Sequence, residues 1–504
     1  MKKLLVLVSM AAVVAVLVAG LSGAFSTSTA PAVYASRLAG ISGNGETGIQ
    51  VQNLDASQDA QITASFYPQT GGTSIDVQAP PTKAGASANF YLPNIPTLPD
   101  GSYAAIINSD RQIAAIARTD WPQSGGAATY SNVLPDTDVA VPLAVKNYYT
   151  QCSLVSVQNT NTSSQASATV EVYQTGSATP AVNPSFQIPP GTSKTVSLCD
   201  DREFESLPDG FLGSIRVKSQ NEVGVQSFID LTQSKQAVYA FEGVPVENGA
   251  DVLYAPLFRS RQLVNPRDPA NSAKMDTGIS VVNTSANPVQ VKVEFYGADK
   301  PDYAAECRGA TFTQGPFEIP ASSSAVFYQG PGTQALTGDK VVPDNCVGSA
   351  KIVATGGKVL AIVNDSLNYT VQSAAYNAVS SAQTGETIAL PLFRSNHTSW
   401  KLYTGISAMN AGTQASSITI EVTDSEGNVT SGRPGMTVSN VGANETALFW
   451  PGDFATGGNW SNIQKAYGSA TITSDQPVAV IVNDFSLSGA ADSSTYNGIN
   501  ATAQ

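Results

Sequence analysis

VGSAKIVATGGKVLAIVNDSLNYTVQSAAYNA, residues 347–378, decides the fold because it returns. Residues 467–498 read YGSATITSDQPVAVIVNDFSLSGAADSSTYNG. Weaker echoes are LGSIRVKSQNEVGVQSFIDLTQSKQAVYA at 212–240 and SYAAIINSDRQIAAIARTDW at 102–121. In the first half of each copy the apolar residues alternate (Ile215 and Val217, Ala350 and Ile352, Ala470 and Ile472). Period two is the mark of a strand with one buried face. The runs VLAIV (359–363) and VAVIV (478–482) alternate less, as a central strand covered on both faces would. Each copy therefore reads as two adjacent strands joined by a polar turn, and the chain as four variations on that unit.

Working outward, a short strand ending in Asn recurs: TGIQVQN to Asn53, SLVSVQN to Asn159, TGISVVN to Asn283 and TGISAMN to Asn410. Its spacing, roughly 105–130 residues, is that of whole domains rather than of solenoid units. The Asn side chain can bond nearby backbone, so a turn role is expected of it. A second strand follows each time (AQITASFY, SATVEVY, VQVKVEFY, SSITIEV), then a variable loop and a third strand. Pro-containing segments open the copies: Pro31 to Tyr34, then VPLAV (141–145), APLFR (255–259) and LPLFR (390–394). Proline suits an edge strand, which need not donate every ladder hydrogen bond. A tyrosine closes each copy: Tyr130, Tyr239, Tyr376 and Tyr496.

About seven strands per roughly 110 residues, with no amphipathic helix of useful length, predict an all-β chain of four tandem antiparallel, immunoglobulin-like β-sandwiches. The expected boundaries are 25–135, 136–248, 249–384 and 385–504, with long loops in the third domain. Their short polar linkers predict four beads on a string with stiff joints. With 504 residues, one hydrophobic core would not suffice.

Residues 1–24 read as a signal peptide. Lys2 and Lys3 precede an almost purely apolar stretch from Leu4 to Ala19, and Ser22 and Ala24 set a small-residue cleavage pattern. A second such site follows Ala30. The apolar run, roughly 16 residues, is short of the ~20 that a membrane span needs. The net charge of −13 leaves no basic patch for phosphates, so nucleic acid is not an expected partner. No membrane association is expected after cleavage.

Four cysteines fit export to an oxidising place. Cys152 and Cys199 fall in the second copy, Cys307 and Cys346 in the third. Pairing within copies closes loops of roughly 40–50 residues, each worth about 4 kcal/mol in a chain-entropy account. Zinc is the alternative for four cysteines, but the spacing lacks CxxC pairs or histidine partners.

A catalytic set is hard to assemble. His397 is the one histidine, and no GxSxG, HExxH or Gly-rich phosphate loop occurs. A glycosidase needs only two carboxylates. The recurrent acids, Asp120, Asp230, Asp365 and Asp484, sit one per domain at the end of a central strand. They read as devices that accept backbone N–H groups where the strand leaves the sheet, or as ion-pair partners for Arg259 or Arg394. DSEGN (424–428) reads as a hairpin turn rather than a calcium loop. Trp400 and Trp460 are candidate glycan contacts, because exposed indoles stack on sugar rings. Trp450 aligns with Tyr328 and is expected in the core. No catalytic residue, cofactor or metal is expected.

With the YNG, VPL and TGIxVxN motifs side by side, the chain resembles the secreted multi-repeat β proteins of filamentous, Chloroflexota-type bacteria. The resemblance spans nearly all of the mature chain and rests on structural motifs. It implies an extracellular or cell-surface place and carries over no catalytic residues. The expectation is a non-catalytic structural or adhesive protein of a surface layer, sheath or matrix. Its partners would be other envelope proteins, copies of itself or polysaccharide. The rival readings are a carbohydrate-binding array and an exported hydrolase.

Overall fold

The computed structural model describes residues 45–121, 126–230, 238–263, 272–330, 337–367, 373–398, 401–430, 435–450, 466–486 and 493–502. They form antiparallel sheets throughout, interrupted by the 3-10 turns Leu92–Asn94, Arg202–Phe204 and Val246–Asn248. The four-fold β-sandwich expected from the repeats is the architecture found. Residues 1–24, expected from their sequence to be a signal peptide, and Trp400 and Trp460 lie outside the described residues.

The third repeat shows the plan. Its inner sheet runs Ser324–Tyr328, Lys274–Asn283 (the ruler strand), Val359–Leu367 (the central strand) and Ser373–Asn377 (the closing strand). Its outer sheet runs Thr311–Ile319, Val289–Gly297 (the second strand), Cys346–Thr355 (the return strand), Val252–Ser260 (the opening strand) and the closing tail Val379–Ser380. Inward side chains of both sheets, among them Ile352, Val293, Val281 and Val363, share one core.

This arrangement corrects the expectation that the two halves of 347–378 lie side by side. The return strand pairs with the second and opening strands, and the central strand with the ruler and closing strands. The two halves face each other across the core. In repeats 2 and 4 they are a single 20-residue strand, Phe211–Asp230 and Tyr467–Ser486, that passes from one sheet to the other.

The beads-on-a-string picture is also corrected. In the central strand of repeat 3, Ala361 and Val363 enter their own core, while Ile362 points the other way into the core of repeat 2. Ile481 of repeat 4 enters the core of repeat 3 in the same manner, and Ile116 of repeat 1 enters the core of repeat 4. Phe228 and Leu154 of repeat 2 complete the circuit by packing into the core of repeat 1. The four repeats therefore close into a ring. This explains why the central runs are apolar on both faces: the second face is covered by the neighbouring repeat. Burying one such isoleucine favours the junction by about 1.5–3 kcal/mol. A head-to-tail contact of this kind forms a ring when its rotation closes.

Candidate functional site

The closing strands Gly126–Ser131, Val238–Glu242, Ser373–Asn377 and Ser493–Asn497 pack against one another around the ring. Ladder register makes Ser131, Glu242, Asn377 and Asn497 equivalent, since they lie opposite Ile116, Gln226, Ile362 and Ile481. It also corrects the tyrosine alignment. In repeat 2 the position of Tyr130, Tyr376 and Tyr496 belongs to Phe241, and Tyr239 stands two residues earlier.

These four residues bond from repeat to repeat. The Asn377 Nδ2 donates to the Glu242 carbonyl (3.0 Å) and to Glu242 Oε2 (2.8 Å). The Asn497 Nδ2 donates to the Asn377 carbonyl (2.6 Å), and the Asn377 N–H to Asn497 Oδ1 (3.1 Å). The Ser131 hydroxyl donates to the Asn497 carbonyl (3.3 Å), and the Ser131 N–H to Glu242 Oε1. Each junction thus satisfies backbone groups that the ladders leave over. Glu242 is the one ionisable member. It is 8% exposed, and burial pushes its carboxyl up to about 7, although bonds from Ser131 and Asn377 favour the ionised form. Gln226, opposite it in the ladder, is fully buried and donates to the Phe241 carbonyl (2.8 Å).

A second polar cluster lies at the junction of repeats 4 and 1. Asp484, 1% exposed, pairs with Arg394 of its own opening strand and with Arg118 of repeat 1 (3.1 Å). The Thr404 hydroxyl donates to it (3.2 Å). Arg118 also reaches Asp120 (2.6 Å) and the Ser494 hydroxyl (2.6 Å). In repeat 3 Asp365 pairs with Arg259 and accepts from the Thr277 hydroxyl. Burial pushes the Asp365 carboxyl up, and the Arg259 guanidinium opposes that.

The ion pairs with Arg259 and Arg394 are those the sequence suggests, but two details differ. Asp365 and Asp484 lie inside their ladders, opposite Thr277 and Thr404, and their partners are side chains rather than freed backbone N–H groups. The four acids also do not share one place. The residue opposite Thr47 is Thr119, which bonds it through the hydroxyls (2.8 Å), and the residue opposite Ser153 is Ile229. Asp120 and Asp230 stand one position further on. A one-residue offset in a strand turns a side chain to the other face.

The ruler asparagines are buried clamps. Asn283 Nδ2 donates to the carbonyls of Asn287 (2.8 Å) and Ile319 (3.0 Å), and its Oδ1 accepts the Ser285 N–H (2.8 Å). Asn53, Asn159 and Asn410 do the same in their repeats. Asp424 caps the DSEGN turn by accepting the N–H groups of Glu426 and Asn428 (2.9 and 2.8 Å). His397 stacks on Tyr467 (4.6 Å between centroids), and burial pushes its pKa down. Trp450 is half-buried against Tyr403. The sulfurs of Cys152 and Cys199 are 2.13 Å apart and those of Cys307 and Cys346 2.01 Å, so both pairs stand at disulfide distance within their own repeats.

The axis residues escaped the sequence reading because their signal is split. YNA and YNG mark Asn377 and Asn497, but the matching YSN and FEG place Ser131 and Glu242 in the other copies. Chemically, both clusters hold repeats together. Among the described residues no group of three His, Cys, Asp or Glu side chains is placed to hold a metal ion.

No family model matches the chain, and no curated protein matches it. Among solved structures it is similar to the major pilin from Streptococcus pyogenes in its E117A mutant form. That alignment has 9% identity over 90% of this chain and 99% of that one, with a TM-score of 0.13. At that score the likeness carries no argument about fold or function.

Proposed function

We propose that the protein is a non-catalytic structural or adhesive component of the cell exterior, part of a surface layer, sheath or matrix. The observation that carries this reading is the closed ring. The polar side chains at its axis and at the repeat 4–1 junction are engaged in joining repeats. A closed ring of repeats suits a building block that contacts copies of itself or other envelope proteins. The export pattern at 1–24, the two cysteine pairs at disulfide distance and the resemblance to secreted multi-repeat proteins support an extracellular place. In an oxidising place both pairs are expected to be closed.

The deciding experiment is electron microscopy of the purified mature protein with and without envelope extract. Ordered sheets or fibres are expected. Monodisperse particles that bind one polysaccharide tightly, and lose it on Trp400→Ala or Trp460→Ala, would replace this reading with a glycan-binding one. Turnover in a glycan and ester screen would replace it with an exported hydrolase.

A further inference from the structure

Two of the four junctions share a hydroxyl latch. The ladder between the second and return strands sets Tyr296 opposite Ser349 in repeat 3 and Tyr173 opposite Ser214 in repeat 2. In repeat 4 the matching residue is Ser469, in the same Gly-Ser step. The Ser349 hydroxyl donates to the Asn444 carbonyl of repeat 4, and the Ser469 hydroxyl to the Gly85 carbonyl of repeat 1 (2.7 Å). Asn444 and Gly85 are equivalent. Each stands at positive φ (64° and 71°) in the loop before the strand that edges the ruler strand.

The junctions on either side of repeat 2 lack this latch. In repeat 1, whose second and return strands are Ile62–Pro68 and Tyr103–Ser109, the residue opposite Tyr67 is Ala104, which has no hydroxyl to give. In repeat 2 Ser214 has one, and Ser322 of repeat 3 holds the same loop position (φ 57°). The Ser214 hydroxyl is nevertheless buried without a partner among the described residues, at the wall of a small cavity shared with Tyr173, Arg216, Val282 and Ser322. Beside it the Arg216 guanidinium reaches the Ser322 hydroxyl at 3.3 Å.

Glu242 spans these same two junctions. Its Oε1 accepts from repeat 1, at the Ser131 N–H, and its Oε2 from repeat 3, at Asn377 Nδ2 (2.8 Å). Both donors are neutral. Gln226, opposite Glu242 in the ladder, keeps a buried Oε1 that accepts nothing from the described residues. A carboxylic acid carries the hydrogen this oxygen lacks, and a carboxylate does not. A buried charge without a counter-charge is relieved when the group neutralises or water reaches it. Among the described residues, the strands around Val238–Glu242 bring no counter-charge. Tyr130, Tyr239, Tyr376 and Tyr496 turn into the sandwich cores, and Asp230 lies opposite Val238, at the other end of the strand. Arg216, Lys218 and Glu222 belong to the return half of Phe211–Asp230.

We propose that repeat 2 is the ring's gate and that the proton on Glu242 holds it shut. Protonated, the acid accepts from Ser131 and Asn377 and donates to Gln226 Oε1. When the proton leaves to solvent, the carboxylate draws water to the axis, and the junctions that give way are the two without a latch. Burial sets the sign: the closed ring raises the carboxyl from 4.5 to about 7 and so holds the proton more tightly than the open one. Acid therefore closes the gate and alkali opens it. Repeats 3, 4 and 1 stay joined through Ser349, Ser469 and the Arg118–Asp484 ion pair.

The test uses the full chain and Glu242→Gln, whose amide keeps donors and an acceptor but has no proton to lose in this range. Two amides are the probes. The Ser131 N–H bonds to Glu242, and the Asn377 N–H bonds to Asn497 across the 3–4 junction. In site-resolved hydrogen exchange, corrected for intrinsic rates, protection of the Ser131 amide should fall about tenfold between about pH 6 and 8. The Asn377 amide should keep its protection, and Glu242→Gln should keep both. Infrared spectra of the parent with isotope-labelled glutamate should show a protonated carboxyl at the lower pH that is lost at the higher. No such band, an unchanged Ser131 amide, or the same fall in Glu242→Gln overturns the proton latch. Equal loss at Ser131 and Asn377 means that the whole ring opens and overturns repeat 2 as its gate. The labelled band and the two amides of the parent decide the matter even where Glu242→Gln does not fold.

Discussion

The ruler asparagine and the axis glutamate are both buried polar side chains, but their bonding inventories differ. Asn283 uses its amide as two donors and one acceptor, all toward backbone, and so ties the loop after its own strand to the loop before Ser324–Tyr328. Asn283→Ala leaves those groups buried and unpaired, and should cost on the order of 2–4 kcal/mol. Urea unfolding should show it, and a loss well below 1 kcal/mol would mean that water reaches the loops. Glu242 is different because it can change charge. Its carboxyl is raised from 4.5 to about 7 in the fold, so the native state holds the proton more tightly than the unfolded chain. Its contribution is full below pH 4.5 and is withdrawn as pH rises to about 7. The amplitude is on the order of 3 kcal/mol. Thermal melts of the parent should therefore fall between pH 4.5 and 7.5 relative to Glu242→Gln. Parallel curves for the two proteins would show that the carboxyl is not desolvated.

At the scale of the element, the repeats differ in how they hold the opening strand. Arg259 with Asp365 ties it within repeat 3, whereas Asp484 serves Arg394 and a second arginine from another repeat. Removing one member of a buried ion pair costs about 3–5 kcal/mol, because the charge left behind has no partner. Asp484→Asn should therefore loosen the repeat 4–1 junction as well as repeat 4. In hydrogen exchange, Gly126–Ser131 and Ser493–Asn497 should lose protection together. Asp365→Asn should spare both. Equal effects from the two substitutions would remove the distinction. Much at this scale was readable beforehand, because alternation and the Asn turn are local: Ile279, Val281 and Asn283 behave as their spacing says. Other features depend on which ladder a strand joins. Asp120 looks like Asp484 by its place after an apolar run, yet one residue of offset puts it on the opposite face with its side chain 42% exposed. The pairing of 347–355 with the opening strand and not with 359–367 is likewise a choice between sheets, and a turn at Gly356 and Gly357 suits either.

The whole molecule is where the sequence said least, since ring closure depends on contacts between residues 366 positions apart, as in Arg118 with Asp484. Short linkers are compatible with a rod or a ring. What selects the ring is the outward face of each central strand. Ile362 and Ile481 enter the core of the preceding repeat, a contact an open row could keep, but Ile116 enters the core of repeat 4, which only closure allows. The sequence did carry this signal, in VLAIV and VAVIV, but covering by a third sheet layer would leave the same pattern. Scattering separates the shapes. A compact body of this length has a radius of gyration of roughly 23–26 Å, and a rod of four sandwiches about twice that. The mature protein should give the compact value. Ile116→Asp places a charge in the repeat 4 core, so it should open the 4–1 junction and increase the radius while the strand content seen by circular dichroism stays constant. A rod-like value for the parent, unchanged by Ile116→Asp, would refute the ring and leave the four sandwiches as independent units.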